Sequence, residues 1–198
     1  MSGFDLHTHS TCSDGTLEPE QVAELAATRG LTGIALTDHD TADGVERARQ
    51  AGRDRGLEVL TGCELSAEHL GNPVHVLAYG FDPAEPRFAA KRAWIRDGRV
   101  ERARQMVERL RALGVPVTWS RVRELAGAGS VGRPHVARAM VEAGAVPDVA
   151  AAFTPRWIGV GGPAYVAKVA VTPVEAVELI RGAGGACPLA GARRRAGP

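Results

Sequence analysis

The sequence predicts an α/β chain built on parallel strands, and three observations carry that reading. Strand and helix signals alternate over the first 80 residues. Gly33-Ile34-Ala35-Leu36-Thr37 is apolar almost throughout, the pattern of a strand covered on both faces in a parallel sheet or barrel. Most of the chemistry-bearing residues recur at or just past the ends of such strands, where a (β/α) barrel collects its site.

The elements follow in order. Gly3 to His7 is a short first strand, and Pro19 to Arg29 a helix with Val22, Leu25 and Ala26 on one face, closed by Gly30. Gly33 to Thr37 is the second strand. Ala42 to Arg55 is a helix that again stops at a glycine, Gly56. Leu57 to Thr61 and Val74 to Tyr79 are the third and fourth strands, with His69 in an exposed loop between them. After Pro86 the pattern turns helical, over about 88–113, 120–127, 134–144 and 147–153. Breaks fall at Gly114-Val115-Pro116 and at the glycine-rich stretch from Gly127 to Gly132. A loop at Gly159 to Pro163 and an extended exit at Ala164 to Val166 follow. Thr172 then caps a helix that has Pro173 at its first position and runs to about Arg181, and Ala186 to Ala190 begins another strand. No internal repeat is present.

Composition excludes several classes. The 198 residues suffice for one good core and a small subdomain. A net charge of +1 gives no global field toward nucleic acid or membrane, and neither a membrane nor stable DNA is an expected partner. No apolar stretch reads as a secretion signal or a membrane span. Cys12, Cys63 and Cys187 are too few and scattered for a disulfide framework, which points to the reducing cytoplasm. The basic residues are nearly all arginine, Lys91 and Lys168 being the exceptions.

Five of the six histidines stand in an ordered series of metal-ligand motifs. These are Asp5-Leu6-His7-Thr8-His9, Ser13-Asp14-Gly15, Thr37-Asp38-His39-Asp40, Gly62-Cys63-Glu64-Leu65, Val74-His75-Val76 and Gly132-Arg133-Pro134-His135. Neutral imidazole with carboxylate suits divalent zinc, manganese or iron. His7 and His9, two apart on extended chain, project to the same face. Asp5, Asp38 and Asp40 read better as supporting partners or turn caps than as ligands. On the first long helix Arg102, Gln105 and Arg109 share an edge beside an apolar stripe of Ala103, Met106, Val107 and Leu110. That edge suits phosphate, since guanidinium can hold two oxygens at once. It also reads as a solvated basic face, and His135 as a residue of the helix start after Pro134.

Together Asp5 to Ser10, Ser13 to Gly15, Thr37 to Asp40, Gly62 to Ser66 and His75 to Gly80 resemble the opening motifs of the PHP (polymerase and histidinol phosphatase) family. The resemblance covers about residues 3 to 190. It is strongest toward stand-alone bacterial members that cleave nucleoside 3′,5′-bisphosphates and short RNA from the 5′ end. It implies a distorted (β/α)7 barrel formed by 1–86 and 164–198, with 87–163 as a helical insertion over the active site. It also implies a centre of up to three divalent metals. His7 and His9 would hold one metal, and Glu64 would bridge it to a second held with His75. Asp14 and His39 would hold the third. Asp14, His39 and Glu64 would be the catalytic residues. Arg102, Gln105, Arg133 and His135 would face the phosphate of a nucleotide or short RNA. Histidinol phosphate is the alternative substrate.

The family pattern continues with Ala-His-Pro-Gly and later Ser-Asp-x-His. Here Gly191 stands where the first of those histidines is expected, followed by Ala192-Arg193-Arg194-Arg195. The resemblance therefore implies a barrel incomplete at its C-terminus, each metal lacking one protein ligand. The chain would then derive from a longer reading frame, with an inactive metal-binding remnant as the other outcome.

Overall fold

The computed structural model describes residues 3–127 and 131–188. The chain alternates β1 (Phe4–Thr8), α1 (Pro19–Thr28), β2 (Gly33–Leu36), α2 (Val45–Arg53), β3 (Glu58–His69) and β4 (Asn72–Tyr79). The helices α3 (Pro86–Ala112), α4 (Trp119–Ala126), α5 (Arg133–Glu142), α6 (Val149–Ala152) and α7 (Pro173–Gly182) follow. Local chemistry explains most boundaries. Glu18 and Gln21 form a reciprocal cap at the start of α1. Thr172 caps α7 by accepting from the Glu175 amide at 3.1 Å, with Pro173 in the first turn as expected. Glycines 30 and 56 end the turns after α1 and α2 in left-handed conformation. Helix α2 starts at Val45 rather than Ala42, because the Thr41 hydroxyl accepts from Asp43 N and holds a turn there.

The strands lie in the order β1-β2-β3-β4. β1, β2 and β3 are parallel, with Leu36 opposite Thr61. The expected parallel placing of β4 is corrected by the structure. β3 does not stop at Thr61 but runs on to His69, and from Gly62 onward it pairs antiparallel with β4, from Gly62 opposite Tyr79 to His69 opposite Asn72. The hairpin turns through Leu70 and Gly71, both at positive φ, the two-residue connection whose twist matches paired strands. His69 is thus the exposed last residue of β3 rather than part of a long loop. The sheet curls far enough for the Tyr79 hydroxyl on β4 to donate to the Leu6 carbonyl on β1 at 2.7 Å. β2 is wholly buried, whereas β1 is exposed along most of its length. Ala67 and Tyr79 each add a single bridge, to Val171 and Ala186. The strand expected from Ala186 falls partly, and Gly191 wholly, outside the described residues.

Three cores hold these layers. Val22, Ala23, Ile34, Leu36 and Ala48 join α1 and α2 to the sheet. Leu65, Ala78, Phe88, Ile95 and Ile180 join the hairpin to α7 and the first half of α3. Ala103, Met106, Val107 and Leu110, the expected apolar stripe, turn instead into a helical core with Val122, Val136 and Met140. Helix α3 therefore belongs to the sheet at one end and to the helical layer at the other. That arrangement brings Arg99 and Arg102 and the start of α5 onto the side of the sheet where the histidines gather.

Candidate metal centre

The six expected ligands meet around one carboxylate. Glu64 is 6% exposed. Its Oε2 lies 2.8 Å from His7 Nε2, 3.0 Å from His9 Nε2 and 3.7 Å from His39 Nδ1. Its Oε1 accepts from His75 Nδ1. Asp14 sits on the far side, 3.6 Å from His9 Nδ1 and 3.6 Å from His39 Nε2. Three overlapping groups result, each with ligand atoms mutually within 4.8 Å: His7, His9 and Glu64; His9, Asp14 and His39; His39, Glu64 and His75.

Each ligand is placed by an identifiable device. β1 delivers His7 and releases His9, its end tied to β2 by Thr37 N on the Thr8 carbonyl. The turn from Ser10 to Gly15 is organised by buried Asp38, which accepts from Ser10 N at 2.7 Å, Ser10 Oγ at 2.6 Å and Ser13 Oγ at 2.6 Å. Gly15 N returns to Ser10 O, so tightly that a Cβ on Gly15 would lie 2.6 Å from the His9 carbonyl oxygen. Only glycine closes this turn and brings Asp14 back toward His9. His39 follows β2 in a loop clamped to β3, with Glu64 N on Asp38 O and Asp40 N on Glu64 O. Asp40 takes a left-handed conformation that a short polar side chain tolerates. Its buried carboxylate accepts from Ser66 N, Ser66 Oγ and Arg99 Nε. Asp38 and Asp40 therefore support the ligands, as their place in the sequence motifs led us to expect.

The donor set fits divalent cations. Four imidazole rings stand in a row, with successive centroids 5.1, 4.8 and 4.9 Å apart. Rings this close cannot all carry protons without mutual repulsion. Among the described residues the buried His39 Nδ1 has no hydrogen-bond partner, an orphaned lone pair or N–H that a metal ion would satisfy. In the metal-free protein, burial opposes charge on Glu64. Hydrogen bonds from His75, His9 and His7 outweigh it and hold the carboxyl well below its usual range. Burial also opposes charge on His9, but its bond to Glu64 and the Asp14 carboxylate raise it overall. His39 is lowered by burial and then by the Arg99 charge. Neutral imidazoles beside ionised carboxylates are the protonation states that bind metal.

A cleft of about 180 Å³ opens onto this cluster. Asp14, His39 and His75 line one side; Arg99, Arg102, Arg133 and Lys168 line the other. Arg102 is pushed down to about 10 by burial and by neighbouring Arg133, and Lys168 is lowered by burial and by Arg99. Arg102 and Arg133, two of the residues expected to face phosphate, thus line the cleft. Gln105 instead donates to Glu101 at 2.8 Å on the helix surface, and Arg109 is taken by the Tyr165 carbonyl. His135 is buried, its Nδ1 accepting from Gly132 N at 3.0 Å, so it braces the start of α5 behind the cleft-lining Gly132, Arg133 and Pro134. Sequence reasoning missed Arg99 and Lys168. Arg99 lies one helical turn before Arg102 on the same edge, and Lys168 is one of two lysines in an arginine-rich chain.

Residues 5–84 match the model of the PHP domain. The chain is 40% identical over 191 residues to the 3′,5′-nucleoside bisphosphate phosphatase of Chromobacterium violaceum, covering 96% of this chain and 67% of that protein. The chain belongs to the PHP family. It is also 35% identical over 182 residues to a 5′-3′ exoribonuclease of Haemophilus influenzae, covering 92% of this chain and 66% of that one. A crystal structure from Bifidobacterium adolescentis, assigned as a metal-dependent phosphoesterase, superposes with a TM-score of 0.86 at 34% identity, covering 98% of this chain and 69% of that one. That likeness bears out the PHP-type α/β fold. The chain spans about two thirds of the length of these PHP relatives. Among the described residues no helix is long and apolar enough to cross a membrane.

Proposed function

We propose that this PHP chain is a metal-dependent phosphoesterase that removes phosphate from nucleotides, nucleoside 3′,5′-bisphosphates above all, and acts on the 5′ end of short RNA in the cytoplasm. The observation that carries the reading is the two-sided cleft. Metal-ligand side chains face four cationic side chains across a space of about 180 Å³. Pockets that bury whole drug-sized ligands run to about 300–1,000 Å³, so this one seats the phosphate end of a substrate and leaves the rest outside. The relatives named for nucleoside bisphosphate and RNA hydrolysis support the substrate class.

His7, His9, Asp14, His39, Glu64 and His75 would hold up to three cations, of manganese, zinc or iron. Bound there, such ions would acidify a water and neutralise phosphate oxygens. The rest is this chain's own work. Arg102 and Arg133 orient the phosphate and stabilise charge that develops on it, and Lys168 adds a point charge. Arg99 positions rather than binds, since Asp40 and Ser66 occupy its guanidinium. We further assign 87–163 as the insertion that carries most of this cationic wall.

The test is inorganic phosphate release by the manganese-loaded chain from a nucleoside 3′,5′-bisphosphate and from histidinol phosphate. Release from the nucleotide is expected, with KM raised at least tenfold in Arg133→Met. Release from histidinol phosphate alone, or from neither, overturns the proposal.

A further inference from the structure

A second hollow lies beside the metal cleft along α3, and the reaction proposed above does not use it. Its volume is about 570 Å³. Arg96, Arg104, Trp119 and Arg123 line it, with Cys12 at one margin. Trp119 and Arg123 also line an adjoining hollow of about 510 Å³, with Glu124 beside them. The Arg104 guanidinium lies 5.3 Å from the centre of the Trp119 ring. Arg96 is paired with Asp43 at 3.1 Å, and Asp97 adds a second acid. Among the described residues Arg104 and Arg123 make no ion pair, and both are exposed.

Position connects this groove to the cleft. Cys12 faces the groove while Asp14, two residues on in the same turn, faces the cleft. Val131 faces the groove and Gly132 the cleft. On α3, Arg96, Val100 and Arg104 line the groove and Arg99, Arg102 and Ala103 the cleft. The two spaces therefore adjoin along the Cys12–Asp14 turn, the Val131–Gly132 step and α3. The cleft holds only the end of a substrate, and the groove is an adjoining surface on which the rest of a polymer can lie.

We propose that the groove binds the body of a single-stranded RNA whose 5′ phosphate occupies the cleft. The Arg104–Trp119 platform stacks bases, and Arg104 and Arg123 hold backbone phosphates. Stacking on an aromatic ring and on guanidinium is tolerant of sequence, since every base presents a π-face. Unpaired arginines beside such a ring supply the charge that a phosphodiester backbone needs. A free bisphosphate offers one base, whereas a longer RNA can lie on both surfaces. The inference rests on the nucleotide reading above and adds to it a preference for chain length.

The test is fluorescence anisotropy with 5′-phosphorylated, 3′-labelled oligoribonucleotides of two and six residues. The chain is kept in chelator so that nothing is cleaved. The six-residue RNA is expected to bind at least tenfold tighter than the two-residue RNA. Arg104→Gln with Arg123→Gln should weaken the longer RNA about tenfold and leave the shorter one unchanged. The same pair should make the logarithmic salt dependence shallower by about 1.4, at roughly 0.7 for each single-strand phosphate no longer neutralised. Trp119→Ala should match that loss and Trp119→Phe should restore most of it. The arginine pair, whose heads are exposed, keeps the test valid where Trp119→Ala disturbs the helical core. Equal binding of the two lengths, or an arginine pair with unchanged affinity and salt slope, overturns the proposal. Length-dependent binding without phosphate release from a bisphosphate sinks the nucleotide-phosphatase reading and keeps the groove. Phosphate release without length dependence does the reverse.

Discussion

Replacing Asp38 with alanine should cost this chain more stability than replacing any of the six proposed ligands. Asp38 is 1% exposed, yet its carboxylate makes no ion pair among the described residues. What offsets its burial is three short hydrogen bonds, from Ser10 N, Ser10 Oγ and Ser13 Oγ. Hydrogen bonds to a charged group contribute about 1.5–3 kcal/mol each, and a buried donor left unsatisfied costs about 1–3 kcal/mol. The two hydroxyls can rotate toward other acceptors, but the Ser10 amide is fixed. Alanine also relieves the buried charge. The balance is a loss of roughly 3–5 kcal/mol, a large part of the ~5–15 kcal/mol that holds a typical domain. Asp38→Asn keeps one acceptor and should lose about half as much; Ser13→Ala removes one donor and should lose about 1 kcal/mol. Urea unfolding in chelator measures all three without metal linkage. With manganese restored, Asp38→Ala should also shed metal, because the turn that holds Asp14 has lost its anchor. A cost for Asp38→Ala no greater than for Ser13→Ala would refute the view that this carboxylate organises the turn.

Three further outcomes are expected. His39 belongs to two of the three ligand groups and His7 to one, so elemental analysis after dialysis should find less retained metal in His39→Ala than in His7→Ala. Gly15→Ala should weaken metal retention and cost about 1–3 kcal/mol in urea unfolding, because the added methyl meets the His9 and Ser10 backbone and cannot relax. The third outcome concerns pH in the metal-free chain. Glu64 is held below its usual value, so its contribution is present above the ordinary carboxylate range and is lost as pH falls through its folded value. His9 is raised, so its contribution is present below the ordinary imidazole value and is lost as pH rises through its folded value. Stability measured by urea at several pH values should therefore peak between the two ordinary values, about pH 5–6, and Glu64→Gln should flatten the profile.

The gathering of the six proposed ligands and the hydrogen bonding of Asp38 and Asp40 were readable because each stands in a short motif whose spacing survives folding. Helix caps at Thr172 and stops at Gly30 and Gly56 were readable for the same reason: they depend on neighbours in sequence. The hairpin was not, because Leu70 gives no hint of a left-handed turn, although Gly71 does. The alternation of Cys63, Leu65 and Ala67 with Glu64, Ser66 and Glu68 did carry the signal for a strand continuing past Thr61. Arg99 and Lys168 were missed because their position depends on where α3 and the segment after it dock. Docking also decides why Gln105, on the expected helix edge, turns to Glu101 while Arg102 enters the cleft.

All six proposed ligands lie between His7 and His75, on the sheet and its loops, whereas the cations opposite them arrive later, from Arg99 to Lys168. A chain synthesised from its N-terminus thus completes one wall of the cleft before any of the other exists. Ions captured at that stage would hold β1, the His39 loop and the hairpin together while the helices are still being made. Starving cells of divalent cations during expression should then depress the yield of folded protein, and adding the same ions to a finished, misfolded chain should recover only part of it.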